Sequence, residues 1–151
     1  MEVKTTRFGC VAVDDERVIH FPEGLLGFPD QKQFVLLQTN SEGNFFWLQS
    51  ADRPELAFVV SDPLLFVPDF QLPAKAEDME HIGLARWADA QVLVIVNKVD
   101  RTLTGNLQGP LLINAVNRRG RQLVLSEKKY STRHPLMNLP APQQAQVSKT
   151  A

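Results

Sequence analysis

The chain has 151 residues, enough to bury one sizeable core without staples, and its 44% hydrophobic and 22% charged content excludes global disorder. A single cysteine, Cys10, excludes an internal disulfide and any site built on two thiols, and it fits a reducing, intracellular compartment. The net charge of −1 conceals a split: residues 1–100 carry 8 basic and 16 acidic side chains, whereas residues 101–151 carry 8 and 1, so one surface suits a basic partner and another an acidic one.

No apolar run follows the first four residues, so no secretory signal is expected, and the apolar run at 92–96 is far too short to cross a bilayer. Short apolar runs cut by turn residues follow one another, which predicts an all-β chain. Strands are expected at 3–8, 10–13 and 17–21, with Asp14, Asp15 and Glu16 as a turn. A loop punctuated by Pro22, Gly24, Gly27 and Pro29 leads to strands at 34–38 and 45–50, joined by a turn at 40–44. Strands at 56–60 and 64–67 flank Asp62-Pro63, and the prolines at 63 and 68 place the second of them at a sheet edge. Residues 74–84 change character: Ala76, Met79 and Ile82 lie at helical spacing, which predicts one short helix closed near Gly83. A strand at 91–98 reads as buried on both faces, and strands at 103–107 and 111–115 follow it. Residues 117–120 read as a turn answered by a strand at 122–125. The expected architecture is one all-β domain with one short helix over residues 1–135, with a flexible tail containing proline and glutamine at 136–151.

No nucleotide-binding glycine loop, zinc-protease helix or nucleophile elbow is present, and His20, His81 and His134 stand far apart. Three consecutive acids in a turn all face water, so Asp14–Glu16 does not read as an acid/base pair, and Cys10 reads as a buried structural thiol. No catalytic residue, cofactor or metal is therefore expected. Binding is the better expectation. Phe45 and Trp47 share one face of their strand and Phe46 and Leu48 the other, so the strand is either central or displays an aromatic patch. Leu64 and Phe66 lie in the proline-bounded run, where a partner strand could add. The basic turn at 118–121 allows a second reading, a small nucleic-acid-binding β-barrel, although Tyr130 is the one aromatic near it.

Four blocks together resemble a known family. They are FPEGLLGFPDQKQFVLL at 21–37, FFWLQSADRPELAFVVSDPLLFVPDF at 45–70, TGNLQGPLLINAVNRRGRQLVL at 104–125 and YSTRHPL at 130–136. In order and spacing they resemble the flagellar assembly factor FliW across residues 1–136. Gly109 departs from the family's more usual alanine, and the tail lies outside the pattern. The resemblance implies a compact, mostly antiparallel, β-barrel-like fold, in agreement with the strand reading, and a cytoplasmic protein without catalysis that binds newly made flagellin before export. It also implies binding to CsrA, a small dimeric RNA-binding regulator, which stops CsrA repressing flagellin mRNA; direct nucleic-acid contact and membrane contact are not implied. Free flagellin would draw the protein away from CsrA by mass action. Amphipathic flagellin helices need an apolar groove, for which Phe45, Trp47, Leu64 and Phe66 are the candidates. A basic RNA binder would be steered by acids, for which Asp14, Asp15, Glu16, Glu77, Asp78 and Glu80 are the candidates.

Overall fold

A computed structural model describes residues 1–38, 44–126 and 129–140. The expected turn at 40–44 lies almost wholly outside the described residues, as does the part of the expected tail beyond residue 140.

The first two strands, β1 (Glu2–Thr5) and β2 (Gly9–Ala12), form a separate antiparallel hairpin. Among the described residues, the remaining strands are β3 (Ile19–His20), β4 (Gln33–Leu37), β5 (Phe46–Ser50), β6 (Ala57–Ser61), β7 (Ala90–Val99), β8 (Thr102–Gly105), β9 (Leu111–Asn114), β10 (Arg119–Gln122) and β11 (His134–Asn138), with one α-helix, α1 (Ala76–His81). Their order is β11-β8-β7-β6-β5-β4-β3-β10-β9, and β9 pairs back onto β7. The sheet therefore closes into a barrel from β7 through β6, β5, β4, β3, β10 and β9, as the family resemblance implies. Every pairing is antiparallel except the single parallel bridge Arg119–His20 between β10 and β3.

Closure depends on β7. Its Ala90–Leu93 half pairs with β9, its Val96–Val99 half pairs with β8, and residues 94–96 hold β6 on the opposite edge. The outer half of β7 thus carries β8 and β11 away from the barrel as a flap.

Period-two alternation sends side chains into separate cores. Phe34 and Leu48 fill the barrel with Ile19, Val60 and Leu111. Val35, on the other face of β4, packs with Val3 and Val18 under the hairpin. Leu93 and Leu111 face the barrel, whereas Val94 and Leu112 face outward against Phe70, Ile82 and Tyr130. Two glycines permit close approaches. Gly24 has φ +69°, and a Cβ there would strike the Phe28 carbonyl and Pro29. A Cβ on Gly120 would stand 2.7 Å from the Phe21 ring, so β10 can lie against β3 only without a side chain there.

Several expectations need correcting. The run at 64–67 is not an edge strand: Pro63–Leu65 forms a 3-10 helix. Pro63 fixes φ and donates no hydrogen bond, Asp62 accepts from the Leu64 N–H at 2.9 Å, and Val67 N–H closes onto the Pro63 carbonyl at 2.8 Å. The β9–β10 turn is residues 115–118, not 117–120, because Asn114 Oδ1 accepts from Val116 N–H and Arg118 takes φ +61°. The expected helix at 74–84 is shorter, Ala76–His81; of the three residues at helical spacing, Ile82 is buried just past its end and Met79 packs against the outer core, whereas Ala76 is exposed. Cys10 is exposed rather than buried, since it lies opposite Lys4 on the outer face of the hairpin whereas Val11 lies opposite buried Val3. Strand β11 crosses residue 136, where the tail was expected to begin, and Leu136 packs over Gly105.

Candidate partner-binding site

The segment leaving β6 builds one wall. The Asp62 cap and Pro63 start a 3-10 helix that turns Leu64 and Leu65 outward, and Leu64 is 52% exposed. Phe66 turns the other way and stacks on Phe45, with ring centroids 5.7 Å apart. The floor comes from residues 70–72. The Phe70 ring lies 4.8 Å from Tyr130, whose hydroxyl accepts from the Gln71 N–H at 2.9 Å, so this segment is fixed to the outer core. The opposite wall is another 3-10 helix, Trp87–Asp89, which leads into β7 and leaves Trp87 49% exposed. Between them lies a cavity of about 390 Å³ whose apolar lining includes Pro63, Leu64, Phe70, Leu72, Trp87 and Val92. Asp62, Gln71 and Gln91 supply its polar groups.

Of the four apolar candidates, only Leu64 lines this groove. Phe45 and Phe66 meet each other beside it. Trp47 is elsewhere, half-buried beneath the hairpin turn, with the Phe8 ring at 6.1 Å and the Arg7 guanidinium 4.4 Å from its centroid. Sequence reasoning missed Trp87, Phe70 and Leu72. The signal available for Trp87 was weak: a tryptophan in a short segment with Arg86 before it and Asp89 two residues after it, outside every expected strand and helix.

The acidic candidates form two groups. Asp14, Asp15 and Glu16 are exposed around the 3-10 helix Asp15–Arg17, and Asp15 holds the Met1 ammonium at 3.1 Å. On α1, Glu77 and Glu80 are exposed. Asp78 is different: it accepts from the Lys75 N–H at 3.1 Å, capping the helix, and lies 3.8 Å from Arg121. Glu23 joins the same network, 3.6 Å from Arg121 and 3.3 Å from His81.

These contacts also bear on the basic turn. Arg121 is committed to Glu23 and Asp78. Arg118 donates to the Arg17 carbonyl at 2.9 Å, and burial foremost, then the charge of Arg17, hold its guanidinium below the usual arginine range. Arg119 remains exposed, and Tyr130 is buried in the outer core, so the turn offers neither a cluster of free cations nor a stacking platform. Among the described residues, no three of His, Cys, Asp and Glu come together as a metal cage, and no helix is long and apolar enough to cross a membrane.

Comparison with known proteins decides the family. The family model described as "FliW protein" matches residues 2–136. The chain belongs to the FliW family. The flagellar assembly factor FliW of Magnetococcus marinus is 39% identical over 140 residues, covering 91% of this chain and 85% of the relative. That of Geotalea uraniireducens is 40% identical over 137 residues, covering 89% and 83%. A crystal structure of the flagellar assembly factor FliW superposes with a TM-score of 0.83 at 32% identity, covering 93% of this chain and 98% of that one. The FliW resemblance read from the four sequence blocks is therefore confirmed, and with it the flagellar assembly role and the mostly antiparallel barrel.

Proposed function

We propose that this FliW-family chain works in the cytoplasm as a partner switch without catalytic activity, binding flagellin in one state and CsrA in the other. The apolar groove between Leu64 and Trp87 carries the proposal. Two large apolar side chains, each about half exposed, flank a concave apolar floor. An amphipathic helix buries its apolar face in such a groove and leaves its polar face in water. The occupant we assign to it is a flagellin helix. For CsrA, the exposed acids Asp14, Asp15, Glu16, Glu77 and Glu80 supply a field that attracts a basic RNA binder and opposes its RNA. Asp78 contributes less, because Arg121 and the α1 N-terminus already engage it.

The test is a calorimetric titration of the purified protein with flagellin and CsrA from the same organism, separately and then together. Saturable binding to each at about micromolar Kd or tighter, with flagellin displacing CsrA, is the expected result. Binding to flagellin alone would remove the regulatory arm, and binding to neither would overturn the proposal.

A further inference from the structure

Beyond the last rung of β10, the chain stays extended. Leu123 N–H donates to the Pro110 carbonyl and Leu125 N–H to the Gln108 carbonyl, both at 2.8 Å. The Gln108 side-chain amide returns a bond to the Leu125 carbonyl at 3.2 Å. Alternate residues of an extended strand aim their backbone polar groups at opposite edges. The N–H and C=O of Val124 therefore point away from the 108–110 segment, and so does the N–H of Ser126. Among the described residues, no hydrogen bond joins any of these three groups. Burial alternates in step: Leu123 and Leu125 enter the outer core, whereas Val124 is 69% exposed.

A cavity of about 480 Å³ runs along this open edge. Its near side is the five-residue stretch 122–126, and its far side includes Leu26, which is 58% exposed. The Leu26 N–H is held by Gln122 Oε1 at 2.8 Å, which fixes the width of the cleft at one end. At the rim of the sheet, β11 shows how this chain guards an edge: it carries Pro135 and a bulge between Pro135 and Met137. The stretch 122–126 carries no proline and no lysine. It is an unguarded template for a further strand.

The lining indicates which strand. Leu26 and Val124 present apolar contact on either side of the backbone groups. Three carboxylates, Glu23, Glu77 and Asp78, outnumber two cations, Lys75 and Arg121. Arg121 offsets one of the two charges of Glu23 and Asp78, and Lys75 and Glu77 are both exposed, so the lining keeps a net charge of −1. We propose that the open edge at 122–126 is a strand-addition site for an extended peptide of alternating apolar and basic residues. It shares no lining residue with the groove between Leu64 and Trp87, so the two sites succeed or fail separately.

The probe is a capped synthetic heptapeptide alternating lysine and valine, compared with its glutamate–valine counterpart. Two further versions carry N-methyl groups on all the lysines or on all the valines. Saturable binding of the lysine peptide is expected, at least about tenfold tighter than the glutamate peptide. One N-methylated version should lose binding and the other keep it, because only alternate amides face a pairing edge. Hydrogen exchange at the Val124 amide should slow when the lysine peptide is bound. Val124→Pro removes an N–H that no described rung of the fold uses, so it should abolish binding while circular dichroism and melting temperature hold. Leu26→Asp is a second variant that leaves the backbone intact, and it should weaken the peptide by loss of apolar contact. The proposal is overturned by absence of saturation up to about 1 mM peptide. Equal binding of both N-methylated versions overturns it too, as does concentration-dependent protection of Val124 in the protein alone, which would make a second copy the occupant.

Discussion

Two apolar runs of similar composition meet opposite fates in this molecule. Residues 45–48 read Phe-Phe-Trp-Leu, and residues 63–67 read Pro-Leu-Leu-Phe-Val. The first supplies the start of β5, which lies between β4 and β6 with a full set of backbone donors. Leu48 is fully buried in the barrel, and Trp47 on the opposite face is covered by Phe8 and Arg7. The second begins with a residue that cannot donate, turns into a 3-10 helix, and leaves Leu64 and Leu65 each about half exposed. Hydrophobicity alone did not separate them. The backbone did: a run that can complete a ladder on both edges is drawn into a sheet and covered, whereas a run broken at its first residue is displayed.

The comparison breaks first at Leu48. Leu48→Ala removes a fully buried side chain between Leu36 and Phe58 in the barrel and should cost about 2–5 kcal/mol in urea unfolding. A loss below about 1 kcal/mol would mean that β5 is not the covered run described above. A smaller effect is expected at the cap. Asp62→Ala removes the acceptor for the Leu64 N–H and should cost about 0.5–2 kcal/mol, read as a lowered thermal midpoint. If that midpoint is unchanged, the cap does not set the course of the second run, and Pro63 alone turns it.

What the sequence made legible follows from the same physics. The strands at 34–37 and 111–114 were legible as short apolar runs between turn residues, because a strand run needs only its own residues to be read, but their continuous apolar character hid which side chains face the barrel (Phe34, Leu111) and which face away (Val35, Leu112). The helix near 74–84 was visible in its composition. The groove was not, because it is assembled from residues 62–64, 70–72 and 87–92, which meet only after β7 has paired with β6 and β9. Nor was the commitment of Asp78 to Arg121, which depends on α1 lying against β10. The hairpin turn was misplaced by two residues because Arg118, not a glycine, adopts the left-handed conformation there. Trp47 was grouped with Leu64 because both are apolar and near in sequence, yet the sheet separates them.

The sharpest version of the comparison uses substitutions expected to change stability least. Leu64→Ser and Trp87→Ser alter side chains that are already about half in water and sit in no buried cluster, so each should shift unfolding free energy by no more than about 0.5 kcal/mol. If the displayed run is the binding run, the double variant should nevertheless weaken flagellin by about tenfold or more, since a few apolar anchors carry most of the energy of such an interface. The control is Trp47→Phe, which keeps an apolar ring under Phe8 in the covered run and should leave flagellin affinity unchanged. Equal loss in the control and the double variant would mean that affinity follows general stability, and the groove would lose its claim. Loss in the double variant alone, with unfolding curves superimposable on those of the parent chain, would place recognition in the run that the proline leaves uncovered.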